Sequence, residues 1–346
     1  MVRAHLYDSG GRDGDVDFGP DLSVDLGKDQ LLWVDVEGRD PAKIAMAAKV
    51  LGLEQSLSGR LLKATGKPAL IQYPDHFHLI LEALEVPDSR ASAVDSAPDL
   101  REVDVVAGKN WVLTVHDGPV EALRRMDGAT EGDTRLGALD AAGFLAAIAD
   151  EVIAGYFGLV DDLGREIDRL DDLALRAKPR DDILGRIVRL RRLIGVIRRS
   201  LVAHRPAFAA LARPEMELHE ELGRPWPGLG DRLERALEGV ESLRDSLLGT
   251  FDIHMGRAAQ QANEVMKVLT ILSAILLPSV VLAGIMGMNF QVPFFDNADN
   301  FSLVLGAMVT TGVAIMGIAR LRGWICPAIA TEAASQPVAL VTRPCR

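Results

Sequence analysis

The chain has 346 residues, 48% of them hydrophobic and 25% charged, which is enough for two ordinary soluble domains. Its net charge of −11 argues against nucleic acid as a partner. Its two cysteines, Cys326 and Cys345, lie near the C-terminus without metal-ligand company and outline no disulfide framework.

The first twenty residues, MVRAHLYDSGGRDGDVDFGP, are polar and carry no apolar signal-peptide core, so the N-terminus is expected in the cytosol. The densest acidic cluster, DGDVD at 13–17, reads as a solvated loop. Strands are predicted at 3–8, 31–36, 68–73, 77–84, 102–107 and 110–116, where stretches such as LLWVDV and NWVLTVH have the β-branched, apolar content of partly buried sheet. Helical patterns fall between some of them, at 41–51, 54–64 and 118–127, giving an α/β domain over 1–140. His76 and His78 are expected on one strand face with no carboxylate or cysteine motif around them. No phosphate loop or nucleophile elbow occurs either, so no catalytic residue is assigned and the chain is not expected to be an enzyme.

From Ala141 the pattern is purely helical, with Ile153, Tyr156, Val160, Leu163, Ile167 and Leu170 at three- and four-residue steps. The other face carries Asp150, Asp161, Asp162, Glu166, Asp168, Asp171 and Asp172. KPRDD at 178–182 breaks the run, and the basic RIVRLRRLIGVIRRS follows. These predict an αα-hairpin over 141–228 whose opposite charges face each other. After GRPWPG at 223–228 no breaker occurs between Asp231 and Leu277, and Leu233, Leu237, Val240, Leu243, Leu247 and Phe251 keep helical spacing. A single helix over 230–288 would be about 90 Å long, too long for one small domain, so 229–267 reads as a stalk packed against copies of itself.

Charge nearly vanishes from 268 to 319. VLTILSAILLPSVVLAGIMGM (Val268–Met288) and FSLVLGAMVTTGVAIMGIA (Phe301–Ala319) are each long enough to cross a hydrocarbon core, which takes roughly 20 apolar residues. This places transmembrane helices at 268–289 and 301–319, an outer loop at 290–300 and a tail at 320–346. Arg257 and Lys267 precede the first span and Arg320 and Arg322 follow the second, whereas 289–300 holds Asp296 and Asp299 and no basic residue. By the positive-inside rule both termini are cytoplasmic, in the cell (inner) membrane, and the loop is outside. Pro278 sits mid-span, and Ala283 and Gly287 form a small-xxx-small pair that favours close helix contact. Two spans cannot enclose a pore within one chain, so conduction needs several copies. Gly287-Met288-Asn289, where the first apolar run ends, fits a helix stop as well as a pore mouth.

NEVMKVLT at 263–270, Pro278 and GMNF at 287–290, followed by a short loop and a second span, resemble the CorA-type divalent metal cation (magnesium) transporters with their Gly-Met-Asn motif. VVAGKNWVLTVH at 105–116 is similar to a strand pair in the cytosolic domain of that family. The resemblance implies an α+β membrane protein: an N-terminal α/β cytosolic domain, a helical hairpin, and a long stalk helix continuing into the first of two C-terminal transmembrane helices, assembled as a funnel-shaped homopentamer. It implies an ion entry and selectivity filter at Gly287, Met288 and Asn289, with Asn289 meeting the hydrated metal. It also implies a pore lined by Asp252, Asn263, Met266, Leu269, Leu277, Val280 and Gly284, with Met266 and Leu269 as a hydrophobic constriction. The transported ion would be Mg2+ first, with Co2+ or Ni2+ as substitutes, and intracellular cation held by acidic groups between subunits would close the gate. No cofactor beyond these ions is implied, and the partners are other copies of the chain, the lipid bilayer and divalent cations. The sequence departs from the family at Met286, where an aromatic is common, and at Val280, where some members carry threonine. The loop QVPFFDNADNF resembles the zinc-transporting branch as much as the magnesium one. The basic cluster after the second span is reduced to RLRGW, and the 325–346 tail has no counterpart. The alternatives are a zinc transporter on the same scaffold and a non-conducting membrane-anchored cation sensor.

Overall fold

The computed structural model describes residues 2–8, 13–19, 26–27, 30–85, 98–130, 141–176, 182–211, 228–288 and 298–324. Asn289, most of the expected outer loop, Cys326, Cys345 and the 325–346 tail lie outside the described residues, as does most of the KPRDD break and of the GRPWPG segment. The chain divides into two compact units, Met1–Ile253 and His254–Arg346.

The first unit is built on seven strands: β1 (Val2–Asp8), β2 (Gly14–Asp15), β3 (Gln30–Glu37), β4 (Ala69–Gln72), β5 (Phe77–Glu85), β6 (Asp99–Ala107) and β7 (Trp111–His116). They pair in the order β2-β1-β3-β7-β6-β5-β4, with β3 and β7 parallel and every other pair antiparallel. Alternation along the strands makes two buried faces. Leu32, Val34 and Val36 of β3 and Leu113 and Val115 of β7 pack with α1 (Pro41–Leu51) and α2 (Gln55–Leu61). Leu31, Trp33, Val112, Val103 and Val105 pack on the other side with α3 (Glu121–Thr130), α4 (Ala141–Arg176) and α5 (Ile183–Leu211). Asp40 caps α1 by accepting from the backbone N–H of Ala42 at 2.8 Å, and Pro41 follows at the first helical position. Gly52 closes α1 with a left-handed φ of 70°. A Cβ at Gly108, just after β6, would lie 2.3 Å from the Trp111 ring, so a larger residue there would force the indole to move.

Strand β5 outruns β4, whose pairing covers only Phe77–Ile80. The backbone edge left at Glu82 is closed by helix side chains. Tyr156 Oη of α4 donates to the Glu82 carbonyl at 2.8 Å, and the Glu82 N–H donates to His204 Nε2 of α5 at 3.0 Å. The helical pair is thereby fastened to the sheet by hydrogen bonds as well as by apolar packing.

The acidic and basic helices do pack on each other, but their charges meet less than the sequence predicted. Glu166 of α4 pairs with Arg186 of α5, while Arg205 of α5 pairs at 2.6 Å with Glu234, and Arg198 pairs with Glu241. Glu234 and Glu241 belong to α6 (Leu229–Met286). Because α4 spends its apolar stripe on the sheet and α5, Asp161, Asp168 and Asp172 are left facing solvent. α6 buries Leu229, Leu233, Ala236, Leu237, Val240, Leu243 and Leu247 in the core of the first unit, at the three- and four-residue steps of an amphipathic helix. It continues unbroken through Pro278 to Met286. α7 (Ala298–Leu321) is the other helix among the described residues of the second unit.

Candidate ion-conducting face

At about 100° per residue, Asp252, Asn263, Met266, Leu269, Leu277, Val280 and Gly284 fall within an arc of about 120° on α6. All seven are exposed, Leu277 at 68% and Val280 at 65%. The half-buried residues of the same stretch, Ile271, Ile275, Pro278, Ser279, Leu282 and Met286, occupy an arc of about 100° on the opposite side. That side meets α7, since a Cβ added at Gly312 of α7 would stand 3.6 Å from Ile275 Cγ2. The second apolar helix therefore covers one face of α6, and the candidate lining residues occupy the other.

Both apolar helices qualify as membrane spans by length and hydropathy. Hydroxyls within them turn back onto their own backbone: Thr270 donates to the Met266 carbonyl at 2.8 Å, Ser279 to Ile275 at 3.3 Å and Thr310 to Gly306 at 2.7 Å. Such bonds satisfy the hydroxyls without water, as a hydrocarbon environment requires. α4 also passes the apolar length test, but 56% of its apolar window is buried in the first unit, which marks it as a core helix.

The helix closes at the motif. Gly287 N–H donates to the Ala283 carbonyl at 3.0 Å and Met288 N–H to Ile285 at 3.2 Å. A Cβ at Gly287 would meet the Ala283 carbonyl at 3.4 Å, an ordinary contact, so nothing among the described residues requires glycine there. Asn289, the residue on which the entry reading rests, follows outside the described residues.

His76 and His78 correct the sequence reading. Only His78 lies in β5, and carboxylates do gather around it: its Nε2 lies 2.6 Å from Asp104 Oδ1, with both side chains buried. Arg39 joins the group, bonding Glu102 at 3.1 Å and Asp104 at 2.7 Å. Glu102 also accepts from the Thr65 N–H at 2.9 Å. The cluster is closed to solvent and tethers the 62–66 turn to the sheet. His76 stacks on Tyr73 with ring centroids 4.6 Å apart, and burial lowers its pKa against the pull of Asp75 and Glu54.

A polar cavity of about 360 Å3 in the first unit has no forerunner in the sequence reading; its lining includes His5, Asp35, His116 and Arg124. At its base Trp33 Nε1–H donates to Thr114 Oγ1 at 3.1 Å, Thr114 Oγ1–H to Asp35 at 2.5 Å, and His116 Nε2 lies 3.0 Å from the same Asp35 oxygen. Burial opposes charge on His116, but the Asp35 hydrogen bond and charge outweigh it and raise its pKa. Strand alternation puts Asp35 on the Trp33 face of β3 and His116 on the Thr114 face of β7, and the parallel register brings those faces together. Among the described residues, no three His, Cys, Asp or Glu side chains are placed to hold a metal ion.

Known proteins resemble the chain over most of its length. A cobalt/magnesium transport protein CorA from Thermotoga maritima is 24% identical over 299 residues, covering 85% of this chain and 83% of that one. A zinc transport protein ZntB from Pectobacterium carotovorum is 22% identical over 290 residues, covering 82% and 84%. The complete structure of the CorA magnesium transporter from Methanocaldococcus jannaschii superposes with a TM-score of 0.74 at 22% identity, covering 94% of this chain and 99% of that one, and so shares its fold. The signature of the CorA-like Mg2+ transporter proteins matches residues 28–320, and the chain belongs to that family.

Proposed function

We propose that several copies of this chain, five by the family resemblance, surround a path for divalent metal cations through the inner membrane, with both termini in the cytoplasm. In this reading 1–140 and 141–228 form the cytosolic part, 229–267 the stalk, 268–289 and 301–319 the spans, and 320–346 an internal tail. The observation that carries it is the division of α6 into two faces: one covered by α7, and one that presents Asp252, Asn263, Met266, Leu269, Leu277, Val280 and Gly284 together.

The chemistry suits an ion that keeps its water. Mg2+ dehydrates reluctantly, so rings of amide oxygens from Asn289 and Asn263 would bind it through its hydration shell. Amides attract the ion less than carboxylates do, which favours release as well as entry. Between the two rings the proposed lining positions are apolar, and Met266 and Leu269 form a constriction that excludes water when narrow. Cytosolic cation, held by carboxylates contributed by neighbouring chains, closes the gate by binding the closed state more tightly than the open one.

Cation flux into proteoliposomes tests the reading. Mg2+ entry indifferent to a proton gradient is the expected result, and Asn289→Ala is expected to abolish entry while leaving the oligomer intact. Zn2+ entry that follows the proton gradient would move the chain to the zinc-transporting branch. Silence for both ions would leave a membrane-anchored sensor, and normal flux in Asn289→Ala would return Gly-Met-Asn to a helix stop.

A further inference from the structure

A cavity of about 140 Å3 opens between α6 and α7 at the basic end of the two apolar segments. Ile271 and Ala274 of α6 and Ile315, Ile318 and Ala319 of α7 give it an aliphatic wall. The hydroxyl of Thr270, which also lines it, is already committed to the Met266 carbonyl. An apolar cavity of about 150 Å3 is large enough for a benzene ring, so this one takes a length of hydrocarbon rather than a whole lipid.

The remaining lining residues are Arg322 and Trp324, both exposed. Among the described residues, neither the Arg322 guanidinium nor the Trp324 indole N–H has a hydrogen-bond or ion-pair partner. Lys267 stands one turn before Thr270 and Ile271 on the same side of α6, and among the described residues its ammonium is also unpaired. Among the described residues, every unmet polar group around the cavity is thus a donor, and two of the three are cationic. A metal ion would be repelled, and a soluble anion would leave the aliphatic wall unused. The complementary ligand carries anionic oxygens next to a hydrocarbon chain. Basic pockets between membrane helices at the cytoplasmic boundary suit anionic headgroups, and tryptophan favours that same boundary.

We propose that this cavity binds an anionic phospholipid of the cytoplasmic leaflet, its acyl chain against Ala274 and Ile318 and its phosphate at Arg322, Trp324 and Lys267. The proposal rests on α6 and α7 spanning the membrane with this end inside. It ties a lipid to the segment of α6 that carries Met266 and Leu269.

The test is native mass spectrometry of the full-length protein in detergent, titrated with phosphatidylglycerol or phosphatidylcholine. Phosphatidylglycerol should be retained and phosphatidylcholine lost. Arg322→Gln should weaken retention about tenfold, the factor that corresponds to one charge-assisted contact. Ala274→Leu, which fills the cavity without touching charge, should weaken it comparably, and Arg320→Gln, outside the lining, should not. Equal retention of both lipids, or full phosphatidylglycerol retention by both Arg322→Gln and Ala274→Leu, overturns the proposal. Displacement by inorganic phosphate alone also overturns it, since that describes an anion site. A disulfide between chains at Ala274→Cys, with Cys326 and Cys345 replaced by serine, would show a second copy closing the cavity and overturn it too. Protein recovered from cells without detergent sinks the membrane reading itself, and that is known before any lipid is added.

Discussion

Burial lowers the His204 pKa to about 4, only partly offset by its bond to Ser200, and the side chain sits neutral in the fold. Its bonds define the tautomer. Nδ1–H donates to the Ser200 carbonyl at 2.8 Å, leaving Nε2 to accept from the Glu82 N–H. A proton on Nε2 would place two donors against each other at the sheet edge. In the unfolded chain the imidazole titrates near its ordinary value of about 6.5, so between there and 4 the unfolded state binds more protons. The stabilisation is present above about pH 6.5 and is lost as pH falls toward 4, by about 3 kcal/mol at most. His116 has the opposite sign: its raised pKa gives stability that is present below its ordinary value and lost as pH rises through the folded one. His204→Leu separates the two. It leaves the Glu82 N–H buried and unpaired, which costs about 1–3 kcal/mol at pH 7, and it should lose less further stability than the parent between pH 6.5 and 4.5. Denaturant midpoints followed by tryptophan fluorescence at the two pH values would decide, and parallel losses in both proteins would refute the assignment.

At the scale of elements, the two faces of α6 make a prediction that packing alone does not. With Cys326 and Cys345 replaced by serine, Met266→Cys, Leu269→Cys and Val280→Cys should react with small water-soluble thiol reagents entering an open pore, and modification should block flux. Ile275→Cys and Leu282→Cys, on the face toward α7, should react at least about tenfold more slowly because thiolate forms only where water reaches it. Equal rates on both faces would mean that the exposed stripe faces lipid. Much of this architecture was legible beforehand. β-branched and apolar content announced the longer strands, and α6 was readable as one helix because no breaker interrupts its spacing. β2, two residues long, offers no run to detect. The partners of Arg198 and Arg205 were not legible either, since both meet α6 carboxylates more than twenty residues away and only tertiary packing selects them over α4. The candidate lining came from the family resemblance, whereas its separation from the α7 face needed both helices in place. The cavity below Arg322 likewise joins segments some fifty residues apart.

For the whole molecule, the proposed function depends on which side of the membrane Asn289 faces. Four cationic residues, Arg257, Lys267, Arg320 and Arg322, flank the spans at one end, and none lies between 289 and 300. Placing a single Lys or Arg at the centre of a membrane helix costs about 2.5–3.5 kcal/mol on insertion scales, so orientation follows the side on which these residues are retained. The native cysteines report it directly, because Cys326 and Cys345 follow the second span. In intact cells a membrane-impermeant maleimide should leave both unlabelled, and permeabilising the cells should label them. Asp296→Cys, in the loop, should label in intact cells once the native pair is replaced. The reverse pattern would put Gly-Met-Asn on the cytosolic side and the soluble unit outside, where it could not read the cytosolic cation level. The expected pattern has a further consequence. Asp296 and Asp299 would then carry negative charge close to the outer mouth, where it concentrates cations over a Debye length of about 10 Å at 0.1 M salt. Replacing both by asparagine should slow uptake at low ionic strength and make little difference near 1 M, where the Debye length shrinks to about 3 Å. A loss that ignores salt would mean that these aspartates shape the loop rather than attract the ion.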